Sequence, residues 1–216
     1  MSKNISIKTK AMLQFYKNLS LGLIGLMIAF SSYSQIYSTS AGGPWDSTWT
    51  WVGGVVPGVS HNVVINGAVH TTGNSCGSLT LNASGSLNNT YFGATLTVTG
   101  NVVNHGTISD YVSNFNLNIG GDITNNGVLN NSYTTLTGST NHIITCQNNH
   151  NFAGYSFSNN GTGSMFINTE AYFNNVAINL NNLPLILASN ATLKIHDGDL
   201  SNCDIKIGRA SCRERV

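Results

Sequence analysis

The densest concentration of reactive side chains is the stretch KIHDGDLSNCD, which places Lys194, His196, Asp197, Asp199 and Asp204 within eleven residues. Asp-Gly-Asp can offer carboxylate oxygens to Ca2+, a hard cation that takes oxygen ligands. A neighbouring lysine or histidine could act as a base. Asp197, Asp199 and Asp204 are therefore the candidate metal ligands and Ca2+ the candidate ion. The spacing is not that of an EF-hand loop, and Asp-Gly is equally an ordinary turn signal, so the stretch reads as turn or calcium site. No residue stands out as catalytic or cofactor-binding. Asp46, Asp110, Asp122 and Glu170 are isolated in the chain, whereas glycosidic chemistry needs paired carboxylates. The histidines at 61, 70, 105, 142, 150 and 196 form neither HxH nor HExxH. Cys76, Cys146 and Cys203 lie 70 and 57 residues apart, spacings that match no zinc motif. At most one pair among them could form a disulfide, and buried thiols are expected.

The charge distribution narrows the partners. Lys3, Lys8, Lys10 and Lys17 give the N-terminus a positive start, and residues 19–30 (LSLGLIGLMIAF) form an apolar run too short to span a bilayer comfortably. Ser32 and Ser34 occupy the two positions read by a signal peptidase before Gln35. Residues 1–34 are thus expected to be a signal peptide, giving a secreted or outer-surface product with no membrane span in the mature chain. Between Gln35 and Lys206 there are two lysines, no arginine and seven acids, a net charge of −5. Such a body lacks the cations that nucleic-acid binding requires, and nucleic acid is excluded as a partner. Charged residues make up only 8% of the chain, against about 25% in an average domain. Asn, Thr, Ser and Gly take their place, while β-branched and aromatic residues remain plentiful, which points to regular β-structure with a neutral, amide-rich surface rather than disorder.

The elements that would position any site repeat. LTVTGNVVNHGTI (96–108) and LNIGGDITNNGVL (117–129) superimpose without a gap, 21 residues apart. They match Leu96 with Leu117, Val98 with Ile119, Gly100 with Gly121, Val102 with Ile123, Asn104 with Asn125, Gly106 with Gly127 and Ile108 with Leu129. An earlier copy, LTLNASGSL (79–87), lies 17 residues upstream, and looser copies follow. Within each unit apolar residues alternate with Thr and Asn, the period of a strand with one buried face. Gly and Asn-Gly are expected to turn the chain through positive φ. Units of this length cannot bury their own faces and must stack. The fold class expected is all-β, a right-handed parallel β-helix, with a β-sandwich as the alternative. Asn104 and Asn125, at one corner of successive turns, are expected to hydrogen-bond as an amide ladder. Thr95, Thr97 and Thr99 hint at an ice-binding face only if the pattern recurs in register.

Residues 35–75 are expected to form an N-terminal cap and first coil, and 76–206 the repeats. Trp45, Trp49 and Trp51 lie within seven residues of one another and suit a plug over the open end of a solenoid. Trp49 and Trp51, Gly53 and Gly54, Pro57 and Gly58, then Val64 and Ile65 resemble the N-terminal module of secreted bacterial proteins that use type IX secretion. The order is also similar to the eight-glycine domain of some cell-surface proteins. His61-Asn62 stands where that pattern usually has Asp. The resemblance covers roughly residues 37–130 and implies a β-helical cargo protein ending in a C-terminal sorting domain.

The last ten residues, IGRASCRERV (207–216), hold every arginine of the chain. Back-translated as ATCGGAAGAGCGTCGTGTAGGGAAAGAGTG, they resemble the common short-read sequencing adapter in frame throughout. The natural protein is accordingly expected to continue past Lys206. The functional expectation is a non-enzymatic exported adhesin or stalk fragment contacting glycans or cell-surface polymers. The alternative is a truncated polysaccharide-active β-helix enzyme, a lyase or hydrolase.

Overall fold

The computed structural model describes residues 34–146 and 150–207. The expected signal peptide, except Ser34, and the adapter-like stretch, except Ile207, lie outside the described residues. Within them the chain forms twenty-two strands and one short 3-10 turn, Thr48–Thr50. The strands fall into three columns. The first holds Ser34–Tyr37, His61–Ile65, Leu79–Leu81, Val102–Asn104, Ile123–Asn125, His142–Cys146 and Met165–Ile167. The second holds Gly43–Pro44, Ala68–Thr71, Ser86–Asn89, Thr107–Ser109, Val128–Asn130, Phe152–Ala153, Glu170–Asn174 and Thr192–His196. The third holds Ser75–Cys76, Thr95–Val98, Asn116–Ile119, Tyr133–Leu136 and Ser156–Asn159. Strand Ala177–Leu187 starts in the third column and ends in the first, and Leu200–Ile207 runs beside it. It bends where Asn181 and Asn182 adopt positive φ.

All ladders between named strands are parallel, and the isolated Ser38–Trp51 bridge is antiparallel. The result is an all-β solenoid of about seven turns, the right-handed parallel β-helix expected from the repeats. A right hand is what crossovers between parallel strands adopt. A β-sandwich, built from antiparallel sheets, is ruled out by this pairing.

Each short strand turns alternate side chains inward, so one aliphatic residue per turn stacks on the next. One such column runs Ile36, Val63, Leu79, Val102, Ile123, Ile144, Ile167 and Leu187. Burying each side chain contributes about 1.5–3 kcal/mol. Towards the C-terminal end aromatic rings fill the interior, with Phe152 stacked on Phe173 at 5.0 Å and Phe157 edge-on to both.

The 21-residue alignment is also the structural register. Leu96 pairs with Leu117, Val98 with Ile119, Val102 with Ile123, Asn104 with Asn125 and Ile108 with Leu129. The wholly buried Asn104 donates its Nδ2 to Asn125 Oδ1 at 2.9 Å. The ladder stops there because Cys146 occupies the next position. The upstream copy aligns differently from its apparent match. Leu79 pairs with Val102, not Leu96, because Leu79 lies in a first-column strand and Leu96 in a third-column one, a difference that the sequence likeness hides.

A second correction concerns glycine. Gly106 and Gly127 are not among the residues with positive φ. They are needed because a Cβ on Gly106 would sit 2.1 Å from the Gly85 carbonyl oxygen, and one on Gly127 2.2 Å from that of Gly106. The turns pack backbone to backbone at this corner, and each glycine N–H is held by its own Asn104 or Asn125 side chain.

Two of the three tryptophans form the N-terminal plug. Trp45 and Trp51 are buried edge-to-face at 5.0 Å, with their indole N–H groups on the carbonyls of Pro57 and Trp45. Trp49 instead lies on the surface over Gly43, whose missing Cβ makes room for its ring. Backbone bonds from Thr39 to Thr50 and from Val52 to Tyr37 cover the edge of the first strand.

Candidate functional site

The corner between the second and third strands gathers the outward groups of successive turns. The outward residues at the ends of the second-column strands stack as Ser109, Asn130, Ala153, Asn174 and His196. Ala153 has the shortest side chain of the row and is followed by Gly154, so a depression opens between Asn130 and Asn174. Gly154 has φ +137, and a Cβ there would lie 2.0 Å from the Asn131 carbonyl oxygen. The depression is an open groove of about 520 Å³. It is lined by the amide residues Asn130, Asn174 and Asn175, the hydroxyl residues Ser109 and Ser113, Tyr155 and one acid, Asp110, together with Asn131 and Ser132, which are buried and bonded to neighbouring groups.

That carboxylate is engaged in holding the corner. Asp110 Oδ1 accepts the Ser132 backbone N–H at 2.9 Å, and Oδ2 accepts the Ser132 hydroxyl. The Ser132 Oγ in turn accepts the N–H of Asn114, which has φ +67. One turn earlier the wholly buried Asn89 secures two loops at once. Its Nδ2 donates to the carbonyls of Tyr91 and Val112, and its Oδ1 accepts the N–H groups of Tyr111 and Val112 at 3.0 and 3.2 Å.

These loops present aromatic rings. Tyr91, Phe92, Tyr111 and Tyr155 are 64–76% exposed. Half-buried Tyr133 lies 6.1 Å from Tyr155, ring centre to ring centre, with the planes inclined by 58°. Tyr91, Tyr111, Tyr133 and Tyr155 belong to four consecutive turns. Sequence reasoning missed this stripe, although its signal was present: tyrosine recurs at intervals of 20, 22 and 22 residues, close to the repeat period.

In the KIHDGDLSNCD stretch, Lys194–His196 end a second-column strand, residues 197–199 turn the same corner beyond the groove, and Leu200–Asp204 lie in the last strand. Asp197 has φ +52, and a Cβ on Gly198 would lie 2.4 Å from the Val176 carbonyl oxygen. The Asp199 backbone carbonyl accepts the Ile178 N–H at 2.7 Å. Lys194 pairs with Glu170 at 3.0 Å, His196 contacts Asp197 at 3.0 Å and Asn174 at 3.2 Å, and Asp204 faces Lys206 at 3.6 Å. Among the described residues no three His, Cys, Asp or Glu side chains converge to hold a metal. The calcium reading of Asp197, Asp199 and Asp204 gains no support from this arrangement.

The threonine pattern does not recur, because Thr95 and Thr97 stand opposite Asn116 and Asn118. His142 is buried in the interior, with Nδ1 on the Gly121 carbonyl at 2.7 Å and Nε2 without a partner among the described residues. Cys76, Cys146 and Cys203 are free thiols. Burial pushes Cys76 up to about 12. Cys146 rises to about 11, chiefly through burial, with a smaller upward push from the Glu170 charge against a lowering backbone hydrogen bond from Tyr172. Such thiols stay protonated and are poor nucleophiles. No described helix is long and apolar enough to cross a membrane.

No family model matches this chain, and neither does any curated protein or solved structure.

Proposed function

We propose that the chain is a non-enzymatic, exported repeat protein of the cell surface or extracellular space, an adhesin or stalk that contacts glycans through its corner groove. The observation that carries this reading is exposed Tyr155 in a groove lined by amide and hydroxyl residues, with exposed Tyr91, Phe92 and Tyr111 at the same corner of preceding turns. Aromatic faces gain dispersion and electrostatic attraction from C–H groups, and amides and hydroxyls both donate and accept hydrogen bonds. A sugar offers both chemistries. The solenoid serves as a rigid support, since every corner is fixed by the turns above and below it.

The groove's composition favours binding over cleavage. Hydrolysis by paired carboxylates needs two acids flanking the scissile bond, and this wall offers Asp110, both of whose oxygens are bonded to Ser132. The leader and the cap resemblance support export, with type IX secretion as the proposed route.

The reading is tested by probing a glycan array with the full chain and with Tyr155→Ala, and by incubating both with the bound glycans. Retention of intact glycan by the wild type, weakened on the order of tenfold in the variant, is the expected result. Release of shortened or unsaturated sugars would sink the non-enzymatic reading.

A further inference from the structure

Resting on the glycan-binding reading, we infer that the groove takes a linear, uncharged polysaccharide of equatorially substituted, gluco-configured pyranose rings, laid along the solenoid axis across four turns. The groove is lined from four consecutive turns, by Ser109, Asn130, Ala153 and Asn174 and the residues that follow them, so it runs along the axis and not around a turn; Tyr155 lies in its wall, and Tyr91, Tyr111 and Tyr133 fall in the same corner of the three preceding turns. Neighbouring turns lie about 4.8 Å apart, comparable with the advance of one sugar ring in an extended chain. The four turns therefore span on the order of 15 Å, more than a disaccharide covers.

Ring stereochemistry follows from the aromatic faces. A pyranose whose hydroxyls are all equatorial directs its axial C–H bonds to both faces, where an aromatic ring can contact them. An axial hydroxyl would put a polar group against the ring and leave it without a partner, which costs binding. Charge follows from the wall. Amides and hydroxyls satisfy a polyol, no lysine or arginine among the described residues lines the groove, and its one acid is Asp110. A polyuronate would bring like charges to that carboxylate with no cation to compensate them.

The test is calorimetric titration of the full chain with cellobiose, cellohexaose, a (1→4)-β-galactan hexamer and a galacturonate hexamer, at low and high salt. The variants are Tyr111→Ala, Tyr155→Ala and Tyr155→Phe. Cellohexaose should bind at least about tenfold more tightly than cellobiose, with little dependence on salt. Each alanine variant should lose on the order of tenfold in affinity, and Tyr155→Phe should retain most of it. Equal affinity for dimer and hexamer would overturn the axial placement. Preference for the galactan hexamer would overturn the ring configuration, and tighter, salt-weakened binding of the galacturonate hexamer would overturn the neutral class. Each of those results leaves the glycan-binding reading standing. A wild-type chain, folded by circular dichroism, that binds no glycan at all removes both.

Discussion

Asn89 shows how much a single amide can hold together. It has no exposure to solvent, yet it is bonded to the backbone of both loops that bear Tyr91 and Tyr111. Replacing it with alanine removes these bonds and leaves buried backbone groups unsatisfied, each worth about 1–3 kcal/mol. Asn89→Ala should therefore lower unfolding stability by about 3 kcal/mol in urea titrations. It should also raise amide exchange at Tyr111 and Val112, while amides of the distant strand Met165–Ile167 keep their protection. Unchanged exchange at Tyr111 would show that the loops stand without it. The asparagine ladder was legible in the sequence because Asn104 and Asn125 share a position in a strict repeat. Asn89 was not, because it lies outside the gap-free repeats 96–108 and 117–129, and its role comes from a loop 22 residues away in sequence but one turn away in space. The acidic stretch at 194–204 was legible as a turn or a calcium site, and its backbone makes a tight corner at Asp197 and Gly198. Positive φ at Asp197 and the close approach of Gly198 to Val176 belong to a tight corner.

At the scale of the strand and corner, glycines differ in what they tolerate. Gly127→Ala would drive a methyl group into the Gly106 carbonyl at 2.2 Å. Because the obstacle is backbone tied into the neighbouring turn, the cost should exceed the roughly 1–3 kcal/mol of ordinary overpacking. Gly53 has open space around the position of a Cβ but φ +85, so Gly53→Ala should cost only about 1 kcal/mol of left-handed strain. Chemical denaturation of the two variants side by side checks this ordering, and equal losses would show that inter-turn contact is not what selects glycine. Strand identity and register were readable wherever apolar alternation and the 21-residue period coincide, as in 96–108 and 117–129. They were misread at 79–87, where a local likeness to 96–104 competes with the true partner at 102–108. Corners of unequal length break a fixed-period alignment, and only strand pairing counts the turns correctly.

For the molecule as a whole, the buried thiols set a pH limit. Below about pH 9 they are neutral in both folded and unfolded chains and do not affect stability. Above it the unfolded chain releases protons that the native interior retains, until Cys146 and Cys76 ionise near 11 and 12. Stability should thus decline from about pH 9 upward, and a Cys76→Val variant should show a shallower decline in denaturant midpoints measured at pH 7, 9 and 11. A parallel decline would remove Cys76 from the account. The last described coil has a different vulnerability. Ile205 continues the inward column of Leu185 yet is 52% exposed, beside strands paired on one edge among the described residues. A fragment of residues 35–206 made alone should self-associate, and a monodisperse monomer by light scattering would contradict that. The sequence by itself determined the strand class, the stacked repeat, the aromatic plug and the neutral surface, because each depends on composition or on a short period along the chain. The tertiary structure alone decided which tryptophan stays outside, why the glycines are required, that the acidic stretch turns a corner, and that tyrosines some twenty residues apart fall at one corner, with Tyr155 in the groove wall. Those properties depend on which turn lies above which, and that is set by inter-turn packing.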